Sequence, residues 1–431
     1  MKKNKDLTPE SVTLTIYGEA GEKFGAAWQT GDKGDPVLFV TDPDDRHFKR
    51  ARMIPAETSP SLNTKIKNTA VIDGLKPDHD YLWKVGDRSG VYSAAAVMHT
   101  PKNDPDDCTF LVFTDTQDES HGGNWWNITY REALREFPEG DFAVHAGDIV
   151  QMSGDPVQWA EMLGRTREYT RRIPMLPACG NHDYWRCYLH GNLDTFYEHF
   201  MLDLPPQKTT NGAYYSVDQG PFHFTVLSSG DCMDTNMTTY LPEQYEWAER
   251  DLMETDRPWK IVVVHNPMYS PGKYGSYAPI AGVCYATREQ FGELFIRAGV
   301  DLVISGHDHV FSRTYPMRAD AVPITDSLFV CENIAGDESE VYIDPKGPIH
   351  FIPGCAGEQN RSVEPNMTHD LTQYFRDMKS MPPSAVAYAA VHASGDTMTV
   401  SFRMFNVESG ESIFRQSFGV RKTSLSSNEN K

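Results

Sequence analysis

Five times between residues 109 and 313, a short apolar stretch breaks off into a cluster of Asp, Asn, His or Gly. The clusters are Phe113-Thr-Asp115-Thr-Gln117, Ala146-Gly147-Asp148-Ile-Val, Cys179-Gly180-Asn181-His182-Asp183, Val264-His265-Asn-Pro267-Met-Tyr269 and Ser305-Gly306-His307-Asp308-His309-Val-Phe311-Ser-Arg313. Runs such as Thr109–Phe113, Phe142–Ala146, Phe222–Leu227, Lys260–Val264 and Val300–Ile304 have the length and composition of buried strands. Helix-like segments separate them, at Trp126–Phe137, Val157–Thr170, Pro242–Glu254 and Arg288–Ala298. Strands alternating with helices predict an α/β domain of layered sheets flanked by helices. In open sheets of this kind the loops at the carboxyl ends of the strands form the chemical edge. The five clusters are therefore expected to meet.

The chain on either side reads differently. Residues 8–101 carry strand-length runs with no helical period, such as Thr13–Tyr17, Gly25–Thr30 and Tyr81–Val85, and predict a β-sandwich. Within it Leu75-Lys-Pro77-Asp-His-Asp-Tyr81 resembles the L-x-P-x-x-x-Y corner of fibronectin type III domains, and Trp28 is similar to their inner-sheet tryptophan. The fold class is thus multidomain: an N-terminal all-β sandwich at 8–101, a polar linker at 102–107 and the α/β domain at 108–420. That last domain closes with β-runs at Ala387–Val391, Thr397–Phe402 and Ser412–Phe418, and residues 421–431 are expected to be a disordered tail.

A net charge of −20 disfavours nucleic-acid backbones and anionic membranes as partners. It leaves a small phosphate substrate open, because bound cations reverse the local field. No apolar stretch reaches membrane-spanning length, so no membrane insertion is expected. The basic start Met1–Lys5 runs into Asp6, Thr8 and Glu10 with no apolar segment, so no signal peptide is read there. The expectation is a cytoplasmic protein, or a secreted or periplasmic one if a leader was removed. Seven cysteines without a C-x-x-C pair fit buried thiols in a reducing compartment, with one or two disulfides the alternative. Oligomeric state is left open.

The clusters supply aspartates, an asparagine and histidines, and no thiolate except Cys179. Mixed oxygen and nitrogen donors suit Fe, Mn, Zn or Co. There are too many for one tetrahedral ion and enough for two sites sharing a carboxylate. Two such ions can clamp a phosphate and activate water for in-line displacement.

The order D-x-Q, G-D, G-N-H-D, H, G-H-x-H resembles that of the calcineurin-like metallophosphoesterases. His265-x-Pro267-x-Tyr269, Gly306-His-x-His-x-Phe-x-Arg313 and the preceding β-sandwich look like the purple acid phosphatase branch. The resemblance implies hydrolysis of phosphate esters by metal-bound hydroxide with two divalent metal ions. It implies Asp115, Asp148 and His309 as ligands of the first metal, Asp148 as the bridge, and Asn181, His265 and His307 as ligands of the second. His182 matches the histidine that contacts phosphate and can protonate the leaving oxygen.

Two departures stand out. The family's ligand tyrosine, three residues after the bridging aspartate, is here Gln151, and the alternative ligand histidine, two residues after the first aspartate, is here Gln117. Either Gln117 coordinates through its amide oxygen or water fills the gap. A further family histidine, ten residues beyond His265, is here Gly275. Asp183 and Asp308 are expected to orient ligand histidines, and Arg186, Lys273, Arg288 and Arg313 are candidates to reach substrate oxygens. His121, His145, His223 and His350 read as structural. The expected activity is that of a phosphomonoesterase. A phosphodiesterase on the same site, or a binding protein with a vestigial phosphoesterase domain, are the alternatives.

Overall fold

The computed structural model describes residues 5–18, 22–61, 64–102, 106–183, 193–205, 213–235, 239–277, 283–359, 361–363 and 371–426. Three β-sheets organise it. The central parallel strands Asp107–Phe113, Phe142–His145 and Met175–Pro177 belong to a twelve-stranded sheet. A seven-stranded sheet has Phe222–Leu227, Trp259–Val264, Leu302–Ile304 and Ile349–Pro353 as its parallel centre. These two sheets share one apolar core, with Phe110 and Phe142 of the first packing edge-on against Phe224 of the second at 5.0 and 5.6 Å. The apolar runs are buried along their whole length because sheet or helix covers both faces.

Helices sit near where the sequence periodicity puts them, but the segment expected as one helix over Val157–Thr170 is two, Pro156–Arg165 and Arg167–Thr170, and two others start early. Asn124–Glu136 begins two residues before the expected Trp126, and Val283–Ala298 begins before the expected Arg288. Pro156–Arg165 starts with Asp155 accepting the Val157 N–H at 2.9 Å, the ordinary N-cap arrangement with proline in the first turn. Trp126 lies in the core against Phe113, whereas Trp125 is stacked on His121 at 4.3 Å.

The N-terminal β-unit faces a four-stranded sheet, Arg52–Pro55, Pro36–Thr41, His79–Asp87 and Ala96–Thr100, onto strands Glu10–Ile16, Phe24–Thr30, Ile66–Ile72 and Glu57–Pro60. Trp28 and Trp83 fill the space between. Tyr81 accepts the Lys76 main-chain N–H at 2.9 Å, closing the turn around Pro77. The unit makes direct contact with the α/β domain. Glu10–Ile16 pairs in parallel with Met175–Pro177, so the second face of the sandwich continues the large sheet. Trp83 Nε1 and the His99 N–H also donate to the carbonyls of Arg171 and Arg172, at 3.0 and 2.8 Å.

The expectation of a disordered tail from 421 is corrected for residues 421–426. Arg421 ends a ten-residue strand, Lys422 Nζ reaches Asp301 at 2.7 Å, and Thr423 is bonded to Asp344. A polar sequence here is held by ion pairs that no local pattern reveals. The remainder of the tail lies outside the described residues.

His223, expected to be structural, lies between Asp218 (2.7 Å) and Asp251 (3.0 Å) in the second sheet. Burial works against its charge, but the hydrogen bonds to the two carboxylates outweigh it and push its pKa up to about 9. A folded pKa above the unfolded value means stability fully present below about pH 6.5 and lost as pH rises through about 9. The shift corresponds to at most roughly 3 kcal/mol. Thermal melts of wild type and His223→Asn between about pH 6 and 10 should therefore converge at the alkaline end. A constant gap across that range would show that His223 is neutral in the native state.

Candidate metal centre

All five clusters converge at the joint carboxyl edge of the two parallel sheets. Asp115 leaves the first strand of the large sheet, Asp148 the second and Asn181 the third, while His265, His307 and His309 come from the loops of the smaller sheet. Asp115, Asp148 and His309 place one donor atom each within 4.8 Å of one another, and so do Asp148, His265 and His307. The two groups share Asp148. His265 Nε2 stands 3.1 Å from both Asp148 Oδ2 and Asn181 Oδ1, and His309 Nε2 is 3.0 Å from Asp115 Oδ1.

Three of these residues carry backbone strain. Asp115, Asp148 and His307 have φ values of 50°, 55° and 70°, in the left-handed region that L-residues avoid. The surrounding hydrogen bonds hold them there. The Asp115 N–H donates to the Gly147 carbonyl at 3.0 Å, and the His307 N–H donates to the Asp115 carboxylate at 2.9 Å. The glycines give the room. A Cβ on Gly147 would lie 2.6 Å from His265 Nδ1, and one on Gly306 would lie 2.0 Å from Thr114 Oγ1 and 2.5 Å from Asp115 Oδ2.

Main-chain carbonyls aim the imidazoles. His265 Nδ1 donates to Ala146 O at 2.8 Å, His182 Nδ1 to Gln151 O at 2.9 Å, and His309 Nδ1 to Gln359 O. A committed Nδ1–H fixes the tautomer and presents Nε2 to the site. This corrects the expectation that Asp183 and Asp308 do that work. Asp183 instead accepts the N–H groups of Asp148 (2.8 Å), Ile149 (2.9 Å) and Gly180 (2.9 Å), pinning two of the loops together. Asp308 accepts from Ser270 Oγ and from the Tyr274 N–H at 3.1 Å.

The electrostatics call for cations. Asp115 and Asp148 are essentially inaccessible to solvent, and carboxylates so placed need compensating positive charge. Burial would raise both, yet His309 beside Asp115 and His265 beside Asp148 hold them below the ordinary carboxylate range. Burial keeps His307 neutral, the form that binds a metal. Gln117 is completely buried with Nε2 donating to Asp148 Oδ2 at 3.1 Å, while its Oε1 has no hydrogen-bond partner among the described residues. An orphaned buried acceptor beside the shared carboxylate, with oxygen and imidazole donors in two overlapping groups, fits a pair of divalent cations.

The remaining candidates divide. Arg313 is corrected: it is buried in an ion-pair network with Asp377 (2.5 Å) and Glu340 (3.0 Å), stacked over Phe418, and does not face the site. Lys273 is exposed at the start of the short helix Lys273–Tyr277, and Arg288 packs over Tyr269. Arg186 lies outside the described residues. Gln151 turns its side chain to Gln359. His145 is buried against Thr116, and burial pushes its pKa down to about 3, as a structural histidine requires. His350 is buried against Tyr269.

Sequence reasoning missed Tyr274, whose ring lies 4.2 Å from that of His307, and Arg361, which stacks on Tyr274 and donates to His307 O at 3.0 Å. His121, read as structural, is paired with Asp118 and Glu358 at 2.8 and 3.0 Å. Neither Tyr274 nor Arg361 stands in a recognisable motif, and only the fold brings them to His307.

Comparison with known proteins agrees with this geometry. Residues 108–311 match the calcineurin-like phosphoesterase family. The chain is 25% identical to probable purple acid phosphatase 20 of Arabidopsis thaliana over 86% of its own length and 84% of that protein. It is 24% identical to probable inactive purple acid phosphatase 27 of the same plant, over 90% of this chain and 68% of the relative. Acid phosphatase type 7 of Danio rerio is 26% identical over 51% of this chain and 47% of the relative, so the chain spans about half of that protein. Among solved structures, a purple acid phosphatase from yellow lupin seeds superimposes with a TM-score of 0.73 at 18% identity, covering 96% of this chain and 75% of that one. PhoD superimposes with a TM-score of 0.69 at 14% identity, covering 97% and 91%. The two likenesses show the fold.

Proposed function

We propose, from the match of residues 108–311 to the calcineurin-like phosphoesterase family, that the protein is a dinuclear-metal phosphomonoesterase acting on small phosphate esters. The observation that carries this reading is Asp148, one buried carboxylate common to two overlapping groups of metal-binding donors. Asp115, Gln117, Asp148 and His309 would hold the first cation, and Asp148, Asn181, His265 and His307 the second. When bound, the pair supplies Lewis acidity toward the phosphoryl oxygens and an activated water. The chain's own contribution is positional. Strained, hydrogen-bonded loops fix the donors in advance, and His182, with Nδ1 committed to Gln151 O, offers Nε2 for proton transfer to the leaving oxygen. A vestigial site has no reason to keep these ligand positions and the strained residues among them together.

We read the N-terminal unit, 8–101, as a fibronectin type III-like domain that braces the large sheet rather than docking a partner, on the strength of its parallel pairing with Met175–Pro177. Its boundary with the catalytic domain then falls at 102–107.

The test is hydrolysis of matched mono- and diesters by protein stripped of metal and reloaded with Mn, Zn or Fe(II). Monoester turnover restored by about two cations per chain is expected. Faster diester turnover would make it a phosphodiesterase, and no turnover with either after full loading would overturn the enzymatic reading.

The two glutamines give a further expectation. With Gln151 in place of a tyrosine, no phenolate-to-iron charge-transfer band can form, so the loaded enzyme should be colourless. Gln117→His should tighten cation binding at the first site and Gln117→Ala should weaken it, by roughly 10-fold or more. Unchanged affinity in both variants would leave water, not Gln117, as the fourth ligand.

A further inference from the structure

We infer that Gln151 and Gln359 form a latch that positions His182 and His309 together. The inference rests on the dinuclear reading above. Gln359 Nε2 donates to Gln151 Oε1. The main-chain carbonyl of Gln151 accepts the His182 Nδ1–H at 2.9 Å, and the main-chain carbonyl of Gln359 accepts the His309 Nδ1–H. Each glutamine thus gives its backbone to one imidazole and its side chain to the other glutamine. Among the described residues, one amide hydrogen bond joins the two supports.

The location gives that bond leverage. Gln151 lies in the loop after Phe142–His145 of the large sheet, and Gln359 in the loop after Ile349–Pro353 of the smaller one. The first part of the second loop is already laid along the Asp115 loop. Ala356, Gly357 and Glu358 donate their N–H groups to the carbonyls of Thr114, Asp115 and Gln117 at 2.9, 3.1 and 2.9 Å. Gln359 is the next residue, and its side chain carries the connection across to Gln151. The latch therefore ties the acid side of the site, His182, to the first-metal side, His309. It does not involve the second-metal side, because His265 is held by Ala146 O within the strand end.

Position 151 also explains itself on this view. A neutral amide there serves by geometry, where the resembling family has a charged ligand.

The experiment compares wild type with Gln151→Met, Gln359→Met and the double variant, which keep side-chain length and remove the hydrogen bond. Zn(II) titration of metal-free protein reads the two sites separately, with His309→Ala and His265→Ala assigning which is which. Each single variant keeps the main-chain carbonyls on the imidazoles and loses only the tether between them, so it should weaken the first site by several-fold, up to about 10-fold, the low end for outer-shell losses, and leave the second site within about twofold. The double variant should lose no more than the worse single one, because one bond serves both. Turnover of alkyl phosphates should fall further than that of activated aryl phosphates in all three. Melting temperature serves as the control for folding, and Gln359→Met, at a half-buried position, stands in if Gln151→Met is unfolded. Additive losses, equal weakening of both sites, or no site-specific change would overturn the latch. A single Zn(II) per wild-type chain would overturn the dinuclear assignment instead, and the latch with it.

Discussion

Asp148→Asn is expected to abolish turnover and release at least one cation. The variant keeps the size of the side chain and removes the charge that both donor groups share. It also disturbs the surroundings: Oδ1 accepts the His182 N–H at 2.7 Å, and Oδ2 accepts Gln117 Nε2 at 3.1 Å beside His265. An asparagine would have to turn its NH2 toward one of these donors. A loss of roughly 10³-fold or more in kcat/KM, about 4 kcal/mol of transition-state stabilisation, is the expectation. Elemental analysis of protein purified without chelator, alongside kinetics, checks it. A variant that retains two metals and near-normal turnover would show that the carboxylate does not bridge.

His182→Ala should lower kcat for alkyl phosphates by roughly 10²–10⁴-fold while costing activated aryl phosphates much less. The placement of the ring sets this difference. The main-chain N–H of His182 is fixed on Asp148 and its Nδ1 on Gln151 O, so the imidazole is held beside the shared carboxylate without belonging to either donor group. A poor leaving oxygen needs the proton that Nε2 can deliver, and a good one does not. A plot of kcat against leaving-group pKa should steepen in the variant. Parallel lines for the two proteins would move His182 from proton donor to substrate or metal support.

Local chemistry made much of this molecule readable in advance. Short apolar runs bounded by turn residues fit strands covered on both faces, and alternation with helices favours parallel pairing, so the layered α/β domain is expected from Thr109–Phe113 and its successors. The carboxyl edge of such sheets collects their loops, so Asp115, Asp148, Asn181, His265, His307 and His309 could be grouped from sequence position. Their order along the chain carried that information because strand order and direction convert sequence position into place.

What sequence left open was decided by contacts between distant segments. Asp183 follows a ligand triplet and looks like a histidine's partner, yet the packing of two loops makes it a backbone clamp on Asp148 and Gly180. Arg313 sits in a ligand motif, but strand alternation turns it away from the site to Asp377 and Glu340, which lie 64 and 27 residues away. The parallel pairing of Glu10–Ile16 with Met175–Pro177 sets the N-terminal unit against the α/β domain, a contact that composition does not reveal. Gln359, Tyr274 and Arg361 have no periodic or motif signature, and nothing near Gln151 in sequence names its partner, because a hydrogen bond or ring contact across loops leaves no trace in either loop alone. Residue type and spacing determined which groups could do chemistry. Only tertiary packing decided which way each one points, because orientation depends on partners whose distance along the chain bears no relation to their distance in space.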